Sequence, residues 1–157
     1  MKSPVWIRRP LLNVTEVYEW AHGAGVKKAI PPAQLHLTLA TVRTDVEWQE
    51  LALNNDKLVI ASGPKPVQIF AWTIKALTFS HPDISKRHAE LLEIFPEMDH
   101  PEYRPHVSLY KGGRMPKSEY DGQLVFGPEE ASEFNPDNTK GIKHVKISDF
   151  LQGEARG

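Results

Sequence analysis

Apolar and polar positions alternate strictly in two stretches of the chain, QLHLTLATV (34–42) and RPHVSLYKG (104–112). A period of two predicts half-buried β-strands, with Leu37, Leu39, Val107 and Leu109 on the buried faces. Between and around them the period changes. Val14, Val17, Tyr18 and Ala21 recur at helical spacing behind Asn13, an N-cap candidate with Glu16 three residues on, and Gly23 and Gly25 supply the stop. SHPDISKRHAELLEIF (80–95) predicts a second helix, with Asp83 as N-cap and Ile84, His88, Leu91, Leu92 and Phe95 on one face. VWIRR (5–9), held between Pro4 and Pro10, predicts a short strand or extended arm.

A short helix is expected over 45–53. The β-branched and aromatic runs 57–61 and 67–79 predict strands, separated by the turn residues Ser62, Gly63 and Pro64. Further strands are expected at 123–126 and 145–150, with turn chemistry over 135–141. The order helix, HLTL strand, strands then returns as helix, HVSL strand, strands. This repeat of elements, without a repeat of sequence, predicts an α+β fold of two pseudo-symmetric lobes. Antiparallel β-sheets would line a central cleft, with helices outside. At 157 residues, with no break in composition, residues 1–157 are expected to form a single domain.

Bulk composition narrows the chemistry. Net charge is −1, so no basic field suits a long nucleic acid, and the acidic runs PEMDHPE and GPEEASE point the same way. A small anion remains compatible with a local cluster of His, Lys and Arg. With no cysteine, thiolate metal sites, disulfides and Cys nucleophiles are excluded. MKSPVWIRRPLLN has no apolar run like that of a signal peptide, and no segment has the length of a membrane span. The expectation is a cytoplasmic protein without a membrane partner; oligomeric state is not legible.

The two alternating stretches share more than their period. His36-Leu37-Thr38-Leu39 is followed, close to half a chain later, by His106-Val107-Ser108-Leu109. On a strand, residues i and i+2 face one side, about 6.6–6.8 Å apart. Each strand therefore shows an imidazole and a hydroxyl on one face. A single such pair is ordinarily a solvated polar face. Two of them, matched in order and position, suit phosphodiester chemistry without a metal or other cofactor. One neutral imidazole takes a proton from the attacking oxygen, and the other, protonated, gives one to the leaving oxygen. Thr38 and Ser108 would hydrogen-bond the phosphate oxygens.

These motifs resemble those of the two-histidine (2H) phosphoesterases, the superfamily of LigT and the cyclic phosphodiesterases, in which two H-x-[ST]-x strands from two lobes flank a cleft. The resemblance implies metal-independent phosphoesterase chemistry on nucleotides or RNA ends, with His36, Thr38, His106 and Ser108 as the active-site residues. Within that superfamily, EVYEWAHGAGVKKAIPPAQLHLTL (16–39), SKRHAELLE, the approach Tyr103-Arg104-Pro105-His106 and LVFGPEE are similar to the phage anti-CBASS hydrolases. Those enzymes destroy the cyclic di- and trinucleotides of bacterial antiviral signalling, which would place this chain in a bacterial host cytoplasm. The resemblance further implies attack by a ribose 2′-OH on the neighbouring 3′–5′ bond.

Residues that would bind substrate are less sharply marked. Trp72 in FAWTI could stack on a base, as could Trp6, although each suits a sheet face equally well. Glu129 and Glu130 could accept from an exocyclic amino group, or form a solvated acidic loop. Arg104 and Tyr110 share the parity of His106 and hence the cleft face, whereas Lys111 does not unless the strand has ended before it. His81 and His88, on or near the second helix, read as surface or interface residues. Two alternatives stand beside a cyclic-oligonucleotide hydrolase: an enzyme of 2′,3′-cyclic phosphates or 2′–5′ RNA ends, and a non-catalytic module that sequesters a nucleotide.

Overall fold

The structure is a computed structural model, and it describes residues 1–71, 73–98, 102–135 and 143–156. Strand β1 (Ser3–Pro10) leads into helix α1 (Val14–Gly23), followed by the short β2 (Lys28–Ala29), a 3-10 turn (Pro32–Gln34) and β3 (His36–Val46). After β4 (Leu58–Ile60) come β5 (Val67–Phe70), β6 (Ile74–Thr78), helix α2 (Pro82–Ile94) and β7 (His106–Lys111). The chain finishes with β8 (Leu124–Phe126), β9 (Glu130–Glu133), β10 (Val145–Lys146) and helix α3 (Ile147–Arg156).

Six strands form one antiparallel sheet in the order β5-β6-β7-β3-β1-β9, and β10-β2 and β4-β8 form two small ribbons. The expected two lobes are the halves of the large sheet, β9-β1-β3 and β7-β6-β5, with the two histidine strands adjacent at its centre. The α+β class expected from the element order is the one observed.

One face of this sheet is dry. Val5 and Ile7 from β1, Leu37 and Leu39 from β3, and Val107 and Leu109 from β7 are all buried. They share a core with Val14, Val17, Tyr18 and Ala21 of α1 and Ile84 and Leu91 of α2. Burying side chains of this size stabilises by about 1.5–3 kcal/mol each, which fixes strand parity firmly. Helix α3 docks on α1 through the Phe150 and Tyr18 rings, 5.0 Å apart. No helix among the described residues is long and apolar enough to cross a membrane.

Several local expectations are corrected. Residues 45–53 are not a helix: β3 continues to Val46, opposite Ser3, and Trp48 Nε1 then donates to Ser3 Oγ at 2.9 Å. Residues 67–79 are not one strand but the hairpin β5-β6, turned at Ala71 with φ 44°. Only Val145 and Lys146 of 145–150 are strand, because Ile147, Phe150 and Leu151 fall at i, i+3 and i+4 and bury as a helix. The turn expected at 135–141 lies, beyond Asn135, outside the described residues.

Helix ends also differ in detail. Asn13 is the N-cap residue of α1, but its side chain makes no cap bond. It ties the helix to β8 instead, accepting from Val125 N–H and donating to Gln123 O. The expected stop is present: Gly25, at φ 95°, lets Val26 N–H reach Ala21 O and its own N–H reach His22 O. In α2 the cap is His81, whose Nδ1 accepts from Asp83 N–H; Asp83 sits in the first turn.

Candidate active site

Strands β3 and β7 meet at a single antiparallel pair, Leu37 opposite Val107. These are the middle residues of the two H-x-[ST] motifs. One step to either side, the same register sets His36 against Ser108 and Thr38 against His106. Diagonal neighbours in such a pair have Cβ atoms about 7–8 Å apart, so the two imidazoles stand on one face at a separation that a phosphate group could span. All four side chains are half-buried, while Leu37, Leu39, Val107 and Leu109 face the core.

Both histidines are held the same way. His36 Nδ1 lies 2.7 Å from Gln34 O, and His106 Nδ1 lies 2.8 Å from Arg104 O. A carbonyl oxygen only accepts, so each Nδ1 carries the hydrogen and each neutral ring keeps its lone pair on Nε2. Each ring also leans on an aromatic residue and, beyond that, on a guanidinium. Trp6 meets His36 edge-on at 4.8 Å, with Arg8 Cζ 4.1 Å over the indole. Phe70 stacks on His106 at 4.1 Å, with Arg104 Cζ 4.2 Å over the phenyl ring. The halves thus carry equivalent triplets, His36-Trp6-Arg8 and His106-Phe70-Arg104.

The hydroxyls differ. Trp6 Nε1 donates to Thr38 Oγ1 at 3.1 Å, which occupies an acceptor lone pair and leaves the Thr38 proton free to donate. Ser108 has no side-chain hydrogen bond among the described residues. Burial pushes the pKa of both imidazoles below the usual 6.5. Arg8 and His106 lower His36 further, and Arg104 does the same to His106.

A matching irregularity sits behind each motif. In β3 the pairs Arg8–Thr38 and Ile7–Ala40 leave Leu39 as the extra residue of a bulge. In β7 the pairs Ala76–Ser108 and Lys75–Tyr110 leave Leu109 in the same position. Each extra carbonyl is satisfied from outside the ladder: Leu39 O by His88 Nδ1–H at 2.9 Å, and Leu109 O by Ile30 N–H at 2.8 Å. His88, expected at the surface or an interface, is therefore a buried support, stacked on Tyr103 at 3.9 Å. Tyr103 in turn donates from its hydroxyl to Thr38 O at 2.7 Å.

The bulge overturns the parity rule after Leu109. Tyr110 turns into the core, 4% exposed, with its hydroxyl donating to Arg114 O, so it is not a cleft residue. Lys111 takes the exposed position instead. Arg104 lies beside the second motif, its guanidinium over Phe70 and its carbonyl on His106 Nδ1. The two glutamates part company. Glu130, opposite Arg8, has Oε2 3.5 Å from the Arg8 guanidinium and so borders the site. Glu129 points the other way, its carboxylate fully buried and gripped by Arg87 through two 3.0 Å bonds and by Asn54 N–H. It is a structural strut, not a base reader. Trp72 lies outside the described residues. Arg8 and Phe70 were missed because only tertiary contacts bring them to the histidines, Arg8 from the neighbouring β1 and Phe70 by ring stacking from the end of β5; the one local signal was the polar parity of Trp6 and Arg8 within VWIRR. Among the described residues no three His, Asp or Glu side chains gather to hold a metal ion.

The fold is similar to that of solved phosphoesterases. It superposes on the crystal structure of a phosphoesterase with TM-score 0.58, at 10% identity, covering 93% of this chain and 94% of that one. On E. coli LigT complexed with 3′-AMP the TM-score is 0.55, again at 10% identity, over 93% and 95% of the two chains. A family model described as anti-CBASS protein Acb1 matches residues 3–141. The anti-CBASS protein Acb1 of Caulobacter sp. (strain RHG1) is 32% identical over 142 residues, 84% of this chain and 23% of that protein. That of Sphingomonas paeninsulae is 30% identical over 146 residues, 85% and 23%. The chain belongs to the anti-CBASS protein Acb1 family, and spans about a quarter of the length of these curated relatives.

Proposed function

We propose that this chain is a metal-independent phosphodiesterase that cleaves 3′–5′ bonds of cyclic di- or trinucleotide immune signals, as part of a phage's counter-defence. The observation that carries the proposal is the Leu37–Val107 pairing, which brings two Nδ1-anchored imidazoles and two hydroxyls side by side on one face of the sheet. Membership of a family named for its anti-CBASS role supports the choice of substrate. LigT, which shares the fold, has been crystallised with 3′-AMP and with ATP, consistent with a nucleotide in such a groove.

In this mechanism His36 is the base. Arg8 beside His36 and Arg104 beside His106 each oppose protonation and both rings are anchored alike, so the choice of His36 as base and His106 as acid is part of the proposal. His36 Nε2 takes the proton of the ribose 2′-OH, O2′ attacks phosphorus, and the bond from phosphorus to O5′ breaks. His106 Nε2–H protonates the departing O5′. Thr38 and Ser108 donate to the non-bridging oxygens, and Arg8 and Arg104 supply positive charge at the two sides. The first product carries a 2′,3′-cyclic phosphate, which water can then open with the two histidines exchanging roles.

The test is turnover by the wild-type chain in EDTA of four substrates: 3′,3′-cGAMP, a cyclic trinucleotide, a 2′,3′-cyclic mononucleotide and a short 2′–5′ oligoadenylate. Cleavage of either cyclic oligonucleotide supports the proposal. Cleavage of only the mononucleotide or the 2′–5′ linkage moves the chain to RNA-end processing, and tight binding without turnover makes it a sequestering module. Activity that depends strictly on added metal contradicts the mechanism. The 2′-deoxy analogue of the cleaved ring should bind and resist; equal cleavage would make water the nucleophile.

A further inference from the structure

The described surface has a hollow of about 550 Å³ that does not contain the histidines but lies directly beside one of them. Arg104 forms its near wall, and Arg104 is also the residue whose carbonyl holds His106 Nδ1 and whose guanidinium covers Phe70. Thr78 and Gln68 belong to its lining, and sheet register fixes how far they stand from the motif. Thr78 is directly opposite His106, one strand away. Gln68 is opposite Ala76, which is opposite Ser108, so it lies two strand spacings from that hydroxyl, about 9–10 Å.

The remaining lining is suited to a flat, partly apolar group. Phe79 and Tyr103 offer ring faces or edges, and Ile60 and Pro64 offer aliphatic contact. Gln68 is exposed and its amide both donates and accepts, which suits the edge of a base. The volume falls in the ordinary range for small-molecule sites. The opposite half differs at the matching position. There the row Thr38–Arg8–Glu130 ends in a carboxylate 3.5 Å from the arginine, where this half has Ser108–Ala76–Gln68.

We propose that this hollow is a nucleobase subsite, holding one base of the cyclic oligonucleotide while its phosphate lies between His36 and His106. The proposal rests on the nucleotide reading given above. It makes the β5-β6 half of the molecule the source of base and ring-size preference, with Gln68 reading the base edge. Tyr103 couples the subsite to catalysis, since the ring that lines the hollow also holds the Thr38 carbonyl.

Gln68→Trp and Ser80→Trp each place an indole in the hollow from an exposed position, leaving the catalytic residues untouched. Affinity for 2′-deoxy cyclic di-AMP and steady-state turnover of 3′,3′-cGAMP would be measured for both variants and for the wild type. The proposal expects Kd and KM to rise about tenfold or more, the loss expected when a stacked base is displaced, with kcat within about threefold of wild type. Unchanged Kd and KM in both variants overturn the subsite alone. A fall in kcat without a rise in Kd overturns it too, because the hollow then acts only through the shape of the active site. A wild-type chain that neither binds nor cleaves a cyclic dinucleotide overturns the nucleotide reading itself, and the two failures are thereby distinguished.

Discussion

At the scale of single residues, the two histidines are distinguished by what surrounds them and not by how they are held. Both donate from Nδ1 to a carbonyl two residues back, so both present Nε2. Burial and neighbouring cations lower both pKa values below 6.5. For kcat/KM, which reports the free enzyme, activity rises as the base loses its proton and falls as the acid loses its own. Both limbs then lie on the acid side of 6.5, and the maximum of kcat/KM is expected below that pH. A maximum above pH 7 in kcat/KM would contradict the burial argument. The limbs of kcat should move to higher pH, because bound phosphate favours both charged imidazoles. Trp6 offers a finer test. Trp6→Phe keeps an aromatic edge against His36 but removes the donor to Thr38 Oγ1. Loss of one net hydrogen bond predicts a kcat roughly 3–10-fold lower with little change in melting temperature.

At the scale of elements, what could be read from the sequence was whatever depended on local periodicity. The alternation in 36–42 and 106–109 identified both strands and their buried faces, because burying Leu37, Leu39, Val107 and Leu109 decides the register. The bulges were not legible. Nothing in HVSLYK marks Leu109 as the extra residue; the partner strand β6 does so, and with it Tyr110 and Lys111 exchange faces. Glu129 was misread for the same reason. Its partner Arg87 lies on α2, far away in the chain, and no local pattern announces a bidentate ion pair. Glu129→Ala would leave Arg87 with only Glu90 and the Ala52 carbonyl as partners and strand the Asn54 N–H, at a cost of about 3 kcal/mol. For a chain of this size that corresponds to a melting temperature roughly 6–12 °C lower, measured calorimetrically. Turnover well below the transition should be preserved; lost turnover with an unchanged melting temperature would return Glu129 to substrate binding.

At the scale of the whole molecule, the sheet halves supply similar parts in unequal settings. Each half gives a histidine, a hydroxyl, an aromatic support and an arginine, and each histidine strand carries a bulge three residues after its imidazole. Arg8 is matched by Glu130, whereas Arg104 is exposed and borders the hollow. The two motifs meet where the halves join, at Leu37 and Val107, and each motif alone would be an ordinary polar strand face. The most direct test of this account is therefore kcat on the preferred cyclic oligonucleotide, in EDTA, for His36→Ala and His106→Ala beside the wild type. The account predicts that each substitution alone lowers kcat by about 10²–10⁴, since neither half can supply both acid and base. Either variant turning over at the wild-type rate would contradict it.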